Sequence, residues 1–267
     1  MNFTLPEDLL LALNIVDRVD ELTMERFDSA DLVVETKPDL TPVSDADKNA
    51  EQIVRDLLER SRPDDAIYGE EQGGSLEHSA RRWILDPIDG TKNFLRGVPV
   101  WATLLALEMN GEIVLGVVSA PALGRRWWAA QGMGAFVRVG KGKAQPIHVS
   151  GVSQIEDASF SYSSLTGWEE RGQAESLYTL ATTCWRSRAY GDFWSYMMVA
   201  EGTVDIAAEP ELALYDMAAL VPIVQEAGGT FTSLEGETGP WGSSAIASNT
   251  LLHEAAREIL AAGQADQ

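Results

Sequence analysis

From Ala66 to Val139 the chain is a succession of strand-like runs: Ala66-Ile67-Tyr68, Arg82–Leu85, Val100–Met109, Glu112–Ser119, Arg126–Ala130 and Ala135–Val139. So dense a set of short apolar segments commits this region to a sheet. Asn110-Gly111 falls between two of them and is the residue pair a two-residue hairpin favours. Helical patterns precede the strands. Thr4-Leu5-Pro6-Glu7 reads as a capping box with Pro inside the first turn, and Leu9, Leu13, Val16, Val19 and Leu22 follow at helical spacing. A second pattern starts at Ser44, carries Ile53, Val54, Leu57 and Leu58 on its apolar face, and stops at Pro63. Residues 29–43 between the two helices read as polar and irregular.

Gly140–Pro146 is a compact, basic, Gly-containing connector, after which the pattern changes. Strand-like pieces near 158–162, 186–188, 204–207 and 230–232 alternate with helical stretches near 168–183, 192–201, 213–227 and 250–262. Gly228-Gly229 marks a helix stop before the last of those strands. The expected organisation is an α+β half over residues 1–146 and an α/β half over 147–267, with helices and sheets packed face to face. A length of 267 residues fits one large domain or two modest ones at about 150 residues each.

Charge limits the partners. Lys and Arg total 20 against 41 Asp and Glu, a formal net charge of −21, while 45% of residues are hydrophobic, so the chain is acidic yet able to build a core. Nucleic acid and anionic membrane surfaces, which bind through clustered Lys and Arg, are excluded as partners. An anionic small molecule remains open if something else supplies positive charge. The single Cys184 rules out an intrachain disulfide, and His78, His148 and His253 are too scattered for a His-rich zinc centre. With no basic-then-apolar leader and no apolar run of about 18 residues, the expectation is a cytoplasmic protein.

The chemistry concentrates in Trp83-Ile84-Leu85-Asp86-Pro87-Ile88-Asp89-Gly90-Thr91-Lys92-Asn93-Phe94. A hydrophobic strand ends in Asp86, Pro87 stiffens the exit, and Asp89 follows at a turn that Gly90 permits. Two carboxylates are thereby aimed at one point, with the Gly90 and Thr91 backbone N–H groups free to meet phosphate oxygens. Hard oxygen donors on a short rigid segment suit Mg²⁺. The same residues also make an ordinary Asx/Pro/Gly turn. Taken singly, Gly69-Glu70-Glu71 fits a solvated loop as well as a site, and Asp45, Asp47 and Asp216 fit helix N-termini.

Together these elements resemble the inositol monophosphatase family. Asp86-Pro87-Ile88-Asp89-Gly90-Thr91 with Asn93-Phe94 is similar to its D-P-[IL]-D-G-T-x-N-F signature, and Gly69-Glu70-Glu71 to its G-E-E element. Tyr215-Asp216-Met217-Ala218-Ala219 with Glu226-Ala227-Gly228-Gly229 resembles its W-D-x-A-[AG]…E-A-G-G element, Tyr215 standing where Trp is usual. The resemblance implies a layered αβαβα sandwich shared with fructose-1,6-bisphosphatases, a homodimer, inhibition by Li⁺, and two or three Mg²⁺ ions per site, with Mn²⁺ as a substitute. It implies Glu70, Asp86, Asp89, Asp216 and the Ile88 carbonyl as metal ligands, Glu70 and Thr91 as orienters of water, and Asp47, bonded to Thr91, as the accepting base. It also implies substrate contacts from Asp89, Gly90, Thr91, Arg188, Asp192 and Glu209.

Other phosphatase chemistries fail on spacing. A cysteine phosphatase needs Arg six residues after Cys184, where Tyr190 stands; Asp45-Ala46-Asp47-Lys48-Asn49 misses the D-x-D-x-[TV] pattern; and no P-loop occurs. Asp192 replaces a small neutral residue of the family, and with Glu209 it gives two acids facing the leaving group, which suits a cationic substrate. Arg96–Thr103 and Tyr190-Gly191-Asp192-Phe193 look most like the histidinol-phosphatase branch of actinobacteria. The alternatives are an inositol-1-phosphate or broad-specificity sugar or nucleotide phosphatase, and a non-catalytic Mg²⁺- or phosphometabolite-binding regulator. Asp192 could equally cap the helix that starts near Phe193.

Overall fold

The computed structural model describes residues 3–38, 40–74 and 80–262, so His78 lies outside the described residues. Helix α1 (Leu5–Arg26) starts at its expected cap, where the Glu7 carboxylate accepts the Thr4 backbone N–H at 2.8 Å. The stretch read as irregular contains a short antiparallel pair, β1 (Val34–Thr36) with β2 (Pro42–Ser44). Three-residue strands leave too little periodicity to be seen in sequence. Helix α2 (Asp45–Ser61) follows, capped by Ser44 and Asp47 acting reciprocally.

A seven-stranded sheet comes next, built from β3 (Ala66–Gly69), β4 (Arg81–Asp89), β5 (Ala102–Met109), β6 (Glu112–Ala120), β7 (Arg125–Ala130), β8 (Ala135–Val139) and β9 (Gln145–Pro146), paired in that order. Helix α3 (Thr91–Leu95) interrupts it after β4. The second half supplies β10 (Ser159–Tyr162), α4 (Leu165–Glu170), α5 (Ala174–Thr183), β11 (Arg186–Arg188), α6 (Asp192–Ala200), β12 (Ile206–Glu209), α7 (Leu214–Met217), α8 (Leu220–Glu226), β13 (Thr230–Thr232), β14 (Ala245–Ser248) and α9 (His253–Ala261). Its strands form a five-stranded sheet in the order β11-β10-β12-β14-β13.

Burial alternates along the central strands. Trp83, Leu85, Leu105 and Leu107 pack with Val16, Val19, Val54 and Leu58 of α1 and α2, whereas Ile84, Leu104 and Ala106 face Met197, Leu220 and Val224 of α6 and α8. Both faces being covered, these strands read as continuous apolar runs. Helices α6 and α8 also pack on the five-stranded sheet through Ala207, Phe231 and Ala247, and its outer face, with Phe160 and Ile246, meets Trp168, Leu180 and Leu260 of α4, α5 and α9. The layers are therefore α1/α2, seven strands, α6/α8, five strands and α4/α5/α9, the expected αβαβα sandwich.

Two expected helices are each divided. The stretch near 168–183 breaks at Gly172, whose φ is +73°, and that near 213–227 is split into α7 and α8. β14 was not expected, because Ala245-Ile246-Ala247-Ser248 is short and half alanine although fully buried. One glycine sets how deeply the α7–α8 segment sits: a Cβ on Gly116 of β6 would lie 2.1 Å from the Ala219 carbonyl oxygen. That close approach carries Asp216 in towards the end of β4, which α7 contacts.

Candidate active site

Strand β4 runs in register with β5 up to Asp86, and the register then shifts before Asp89. Pro87 sits inside this bulge, where the missing N–H costs no ladder bond, and its carbonyl accepts the Thr103 hydroxyl at 2.9 Å. The extra residue re-aims the strand so that both carboxylates leave it towards one side. Gly90 then turns the chain into α3 at φ +84°, and a Cβ there would stand 2.9 Å from the Val100 carbonyl oxygen, so only glycine fits.

Asp86, Asp89 and Asp216 each offer a carboxylate oxygen, and the three atoms lie within 4.8 Å of one another. One oxygen of each is tied by a backbone N–H: Ile88 to Asp86 at 2.9 Å, Phe193 to Asp89 at 2.8 Å and Ala213 to Asp216 at 2.7 Å. These bonds fix the three carboxylates where they converge. Burial and mutual repulsion push Asp86 and Asp89 well above the usual carboxylate range and Asp216 up to about 7. An oxygen-only cluster, buried at Asp86 and half-buried at Asp89 and Asp216, whose charges repel one another is the donor set that a hard divalent cation relieves, and these residues fit Mg²⁺.

Glu70 stands beside Asp86 and adds to its repulsion. Its own carboxylate accepts the Lys37 ammonium at 2.7 Å, as does that of Glu71, whose burial beside Glu70 pushes it up to about 7. The Thr91 hydroxyl lies 3.1 Å from Asp47 Oδ1 and 3.0 Å from the Ile88 carbonyl oxygen. Asp47 is fully buried, and that burial raises its pKa despite the Ser44 and Thr91 hydrogen bonds.

A cavity of about 660 Å³ opens over Glu70, Gly90, Thr91, Asp192 and Glu209. A smaller one of about 160 Å³ continues from Asp192 and Glu209 to Asp89, Asp216 and Tyr196. Glu209 is buried, and among the described residues its Oε1 has no hydrogen-bond partner. Burial, with Asp192 and Asp216 nearby, pushes it up to about 8. Asp192 does not cap α6. Asp89 receives the Phe193 N–H, while Asp192, at φ +49°, accepts from the Asn93 amide at 2.8 Å. Arg188 is exposed at the end of β11, donates to the Ser187 carbonyl oxygen, and is outside the lining of both cavities. Trp101 is buried against Phe94 and Phe27 as core.

Residues 7–265 match the profile of the Inositol monophosphatase family. The chain belongs to that family. It is 56% identical over 257 residues to the histidinol-phosphatase of Mycobacterium tuberculosis, covering 96% of this chain and 99% of the relative. With the histidinol-phosphatase of Streptomyces coelicolor it shares 57% over 252 residues, covering 93% and 94%. The solved structure of Thermotoga maritima IMPase superposes with a TM-score of 0.86 at 31% identity, covering 97% of this chain and 98% of that one.

In this inositol monophosphatase family member the raised carboxylates predict how pH and metal act on stability. Groups raised above their unfolded values stabilise the fold while protonated, and that stability is lost as pH rises through the folded values, about 7 for Asp216 and about 8 for Glu209. Between pH 6.5 and 8.5, EDTA-treated protein is therefore expected to lose thermal stability, and the midpoint gain on adding Mg²⁺ is expected to be larger at pH 8.5. Differential scanning fluorimetry checks this, and an equal Mg²⁺ gain at both pH values would contradict it.

Lys37, Glu51 and Tyr196 were not singled out from sequence. Lys37 lies in the stretch read as irregular, and Tyr196 sits on a helix that reads as core. Glu51 did carry a signal, being four residues from Asp47 and so on the same helix face.

Proposed function

We propose that this chain hydrolyses L-histidinol phosphate to L-histidinol and phosphate with Mg²⁺ as cofactor. The observation that carries the reading is the convergence of Asp86, Asp89 and Asp216 next to a cavity that ends on Glu209, a buried acid with an unpaired oxygen. The names of the relatives in M. tuberculosis and S. coelicolor support the same substrate. We assign Glu70, Asp86, Asp89, Asp216 and the Ile88 carbonyl as the metal ligands. Mg²⁺ held there supplies Lewis acidity towards phosphoryl oxygens and lowers the pKa of water.

The protein's own groups then position and deprotonate. The Thr91 proton is committed to Asp47 and the Ile88 carbonyl, so the hydroxyl oxygen can accept from a water in the cavity and aim it at phosphorus. Asp47 takes the proton of that water through Thr91. The water oxygen bonds to phosphorus as the ester bond breaks, and the histidinol oxygen leaves with a proton from solvent. Phosphoryl transfer of this kind rests on positioning and charge neutralisation and needs no covalent nucleophile. The Gly90 and Thr91 N–H groups would meet the phosphate oxygens, while Glu209 and Asp192 are assigned to the remainder of the substrate; Arg188, expected from resemblance to share that task, lies outside both cavities and is left out of the assignment. A desolvated carboxylate such as Glu209 recovers its charge when an ammonium reaches it, which favours a cationic leaving group over a polyol. Residues 1–146 thus supply most ligands, and 147–267 supply Asp216 and the leaving-group contacts. A homodimer and a cytoplasmic setting belong to the same reading.

Phosphate release from L-histidinol phosphate, with EDTA and then with Mg²⁺ restored, tests the reaction class. Release is expected only when Mg²⁺ is present. No release under either condition, or release that EDTA leaves unchanged, would contradict it.

A further inference from the structure

Helix α2 presents Asp47, Glu51 and Arg55 four residues apart and so on one face, Asp47 meeting Thr91 while Glu51 and Arg55 meet the loop that follows Glu70. Glu51 is fully buried, and neither the cluster of aspartates nor the cavity uses it. Its carboxylate accepts the backbone N–H of Glu71 at 2.8 Å and of Gln72 at 3.0 Å, and Arg55 Nε donates to it at 2.8 Å. Arg55 also donates through Nη2 to the Gly73 carbonyl oxygen at 2.5 Å. Gly69 makes room for this arrangement, because a Cβ at that position would lie 2.4 Å from Glu51 Oε1.

These bonds bear on Glu70 from one side. The N–H of Glu71 belongs to the peptide that follows the Glu70 Cα, and Glu51 fixes its plane. The peptide preceding that Cα is fixed separately, since Glu70 N–H donates to the Leu85 carbonyl oxygen at 3.2 Å, one residue before Asp86. Held on both sides, Glu70 has little freedom to turn away from Asp86. Without the Glu51 contacts the 70–71 peptide can rotate and swing the Glu70 carboxylate.

We propose that Glu51, braced by Arg55, is a positioning residue for the metal site: it locks the loop that carries Glu70, so that α2 sets Asp47 and Glu70 as one rigid unit. The proposal rests on the assignment of Glu70 as a Mg²⁺ ligand. Partners that orient ligands from behind typically change metal affinity by about 10- to 100-fold when removed. A purely structural ion pair would alter stability and leave metal affinity as it was.

The test is a double-mutant cycle read by calorimetric titration of Mg²⁺ into metal-free protein, using Glu51→Gln, Glu70→Gln and the pair together. Glu51→Gln is expected to weaken Mg²⁺ binding about tenfold. In the Glu70→Gln background the same change is expected to add no further loss, because Glu51 acts through Glu70. Unchanged Mg²⁺ affinity in Glu51→Gln, or losses that multiply in the pair, would overturn the proposal. If Glu70→Gln alone binds Mg²⁺ like the unmodified protein, the ligand assignment of Glu70 is what fails, and the cycle tells the two apart. Should Glu51→Gln not fold, Arg55→Met enters the same cycle with a smaller loss expected, again absent in the Glu70→Gln background; no loss, or a loss that persists there, would overturn the proposal.

Discussion

Asp89→Asn is expected to lower kcat/KM for L-histidinol phosphate by more than about a hundredfold at saturating Mg²⁺, the scale on which loss of preorganised charge stabilisation is felt. Asp89 has two tasks that this substitution separates. One oxygen accepts the Phe193 N–H and so fixes the start of α6, and an asparagine carbonyl can keep that bond. The carboxylate also lies among those of Asp86 and Asp216, where an amide brings no negative charge for a cation. Fold and thermal midpoint of the metal-free protein should therefore survive, the midpoint even rising as one repelling charge disappears. Steady-state assays over a Mg²⁺ series, paired with calorimetry, make the comparison. Activity retained at saturating Mg²⁺ would refute the ligand role of Asp89.

Glu209→Gln is expected to reduce kcat/KM for L-histidinol phosphate by about thirtyfold or more, because truncating one side of a buried charge pair costs about 2–5 kcal/mol and each 1.4 kcal/mol is tenfold. Turnover of inositol 1-phosphate, which brings no cation, should change far less. Asp192→Asn is expected to follow in the same direction by a smaller factor, since Asp192 is half-buried and already bonded to Asn93. Equal losses for both esters would show that Glu209 supports the pocket without reading the charge of the leaving group.

Local chemistry was the legible part of this site. Asp86, Pro87, Asp89, Gly90 and Thr91 are consecutive or nearly so, and the bulge and left-handed turn that aim them follow from Pro and Gly in that short segment. Asp216 is different. Its approach to Asp86 depends on the close seating of α7–α8 over Gly116, a long-range contact that no pattern of periodicity reports, so resemblance alone pointed to it. Lys37 was invisible for a related reason: its meeting with Glu70 and Glu71 is made by a loop after a three-residue strand. The large sheet was legible because its strands are long and apolar on both faces. β14 was not, being four residues of alanine, isoleucine and serine stabilised by their neighbours on either side.

The net charge of −21 acquires a local meaning in this setting. Asp86, Asp89 and Asp216 repel one another and would repel a phosphate ester, so without a divalent cation the site opposes its own substrate. The same acids, extended by Glu209 and Asp192, favour a substrate that is anionic at one end and cationic at the other. Both features are tested together by kcat/KM for L-histidinol phosphate and for inositol 1-phosphate, measured on one preparation at one Mg²⁺ concentration. L-Histidinol phosphate is expected to turn over faster, and faster turnover of the inositol ester would contradict this reading of the site.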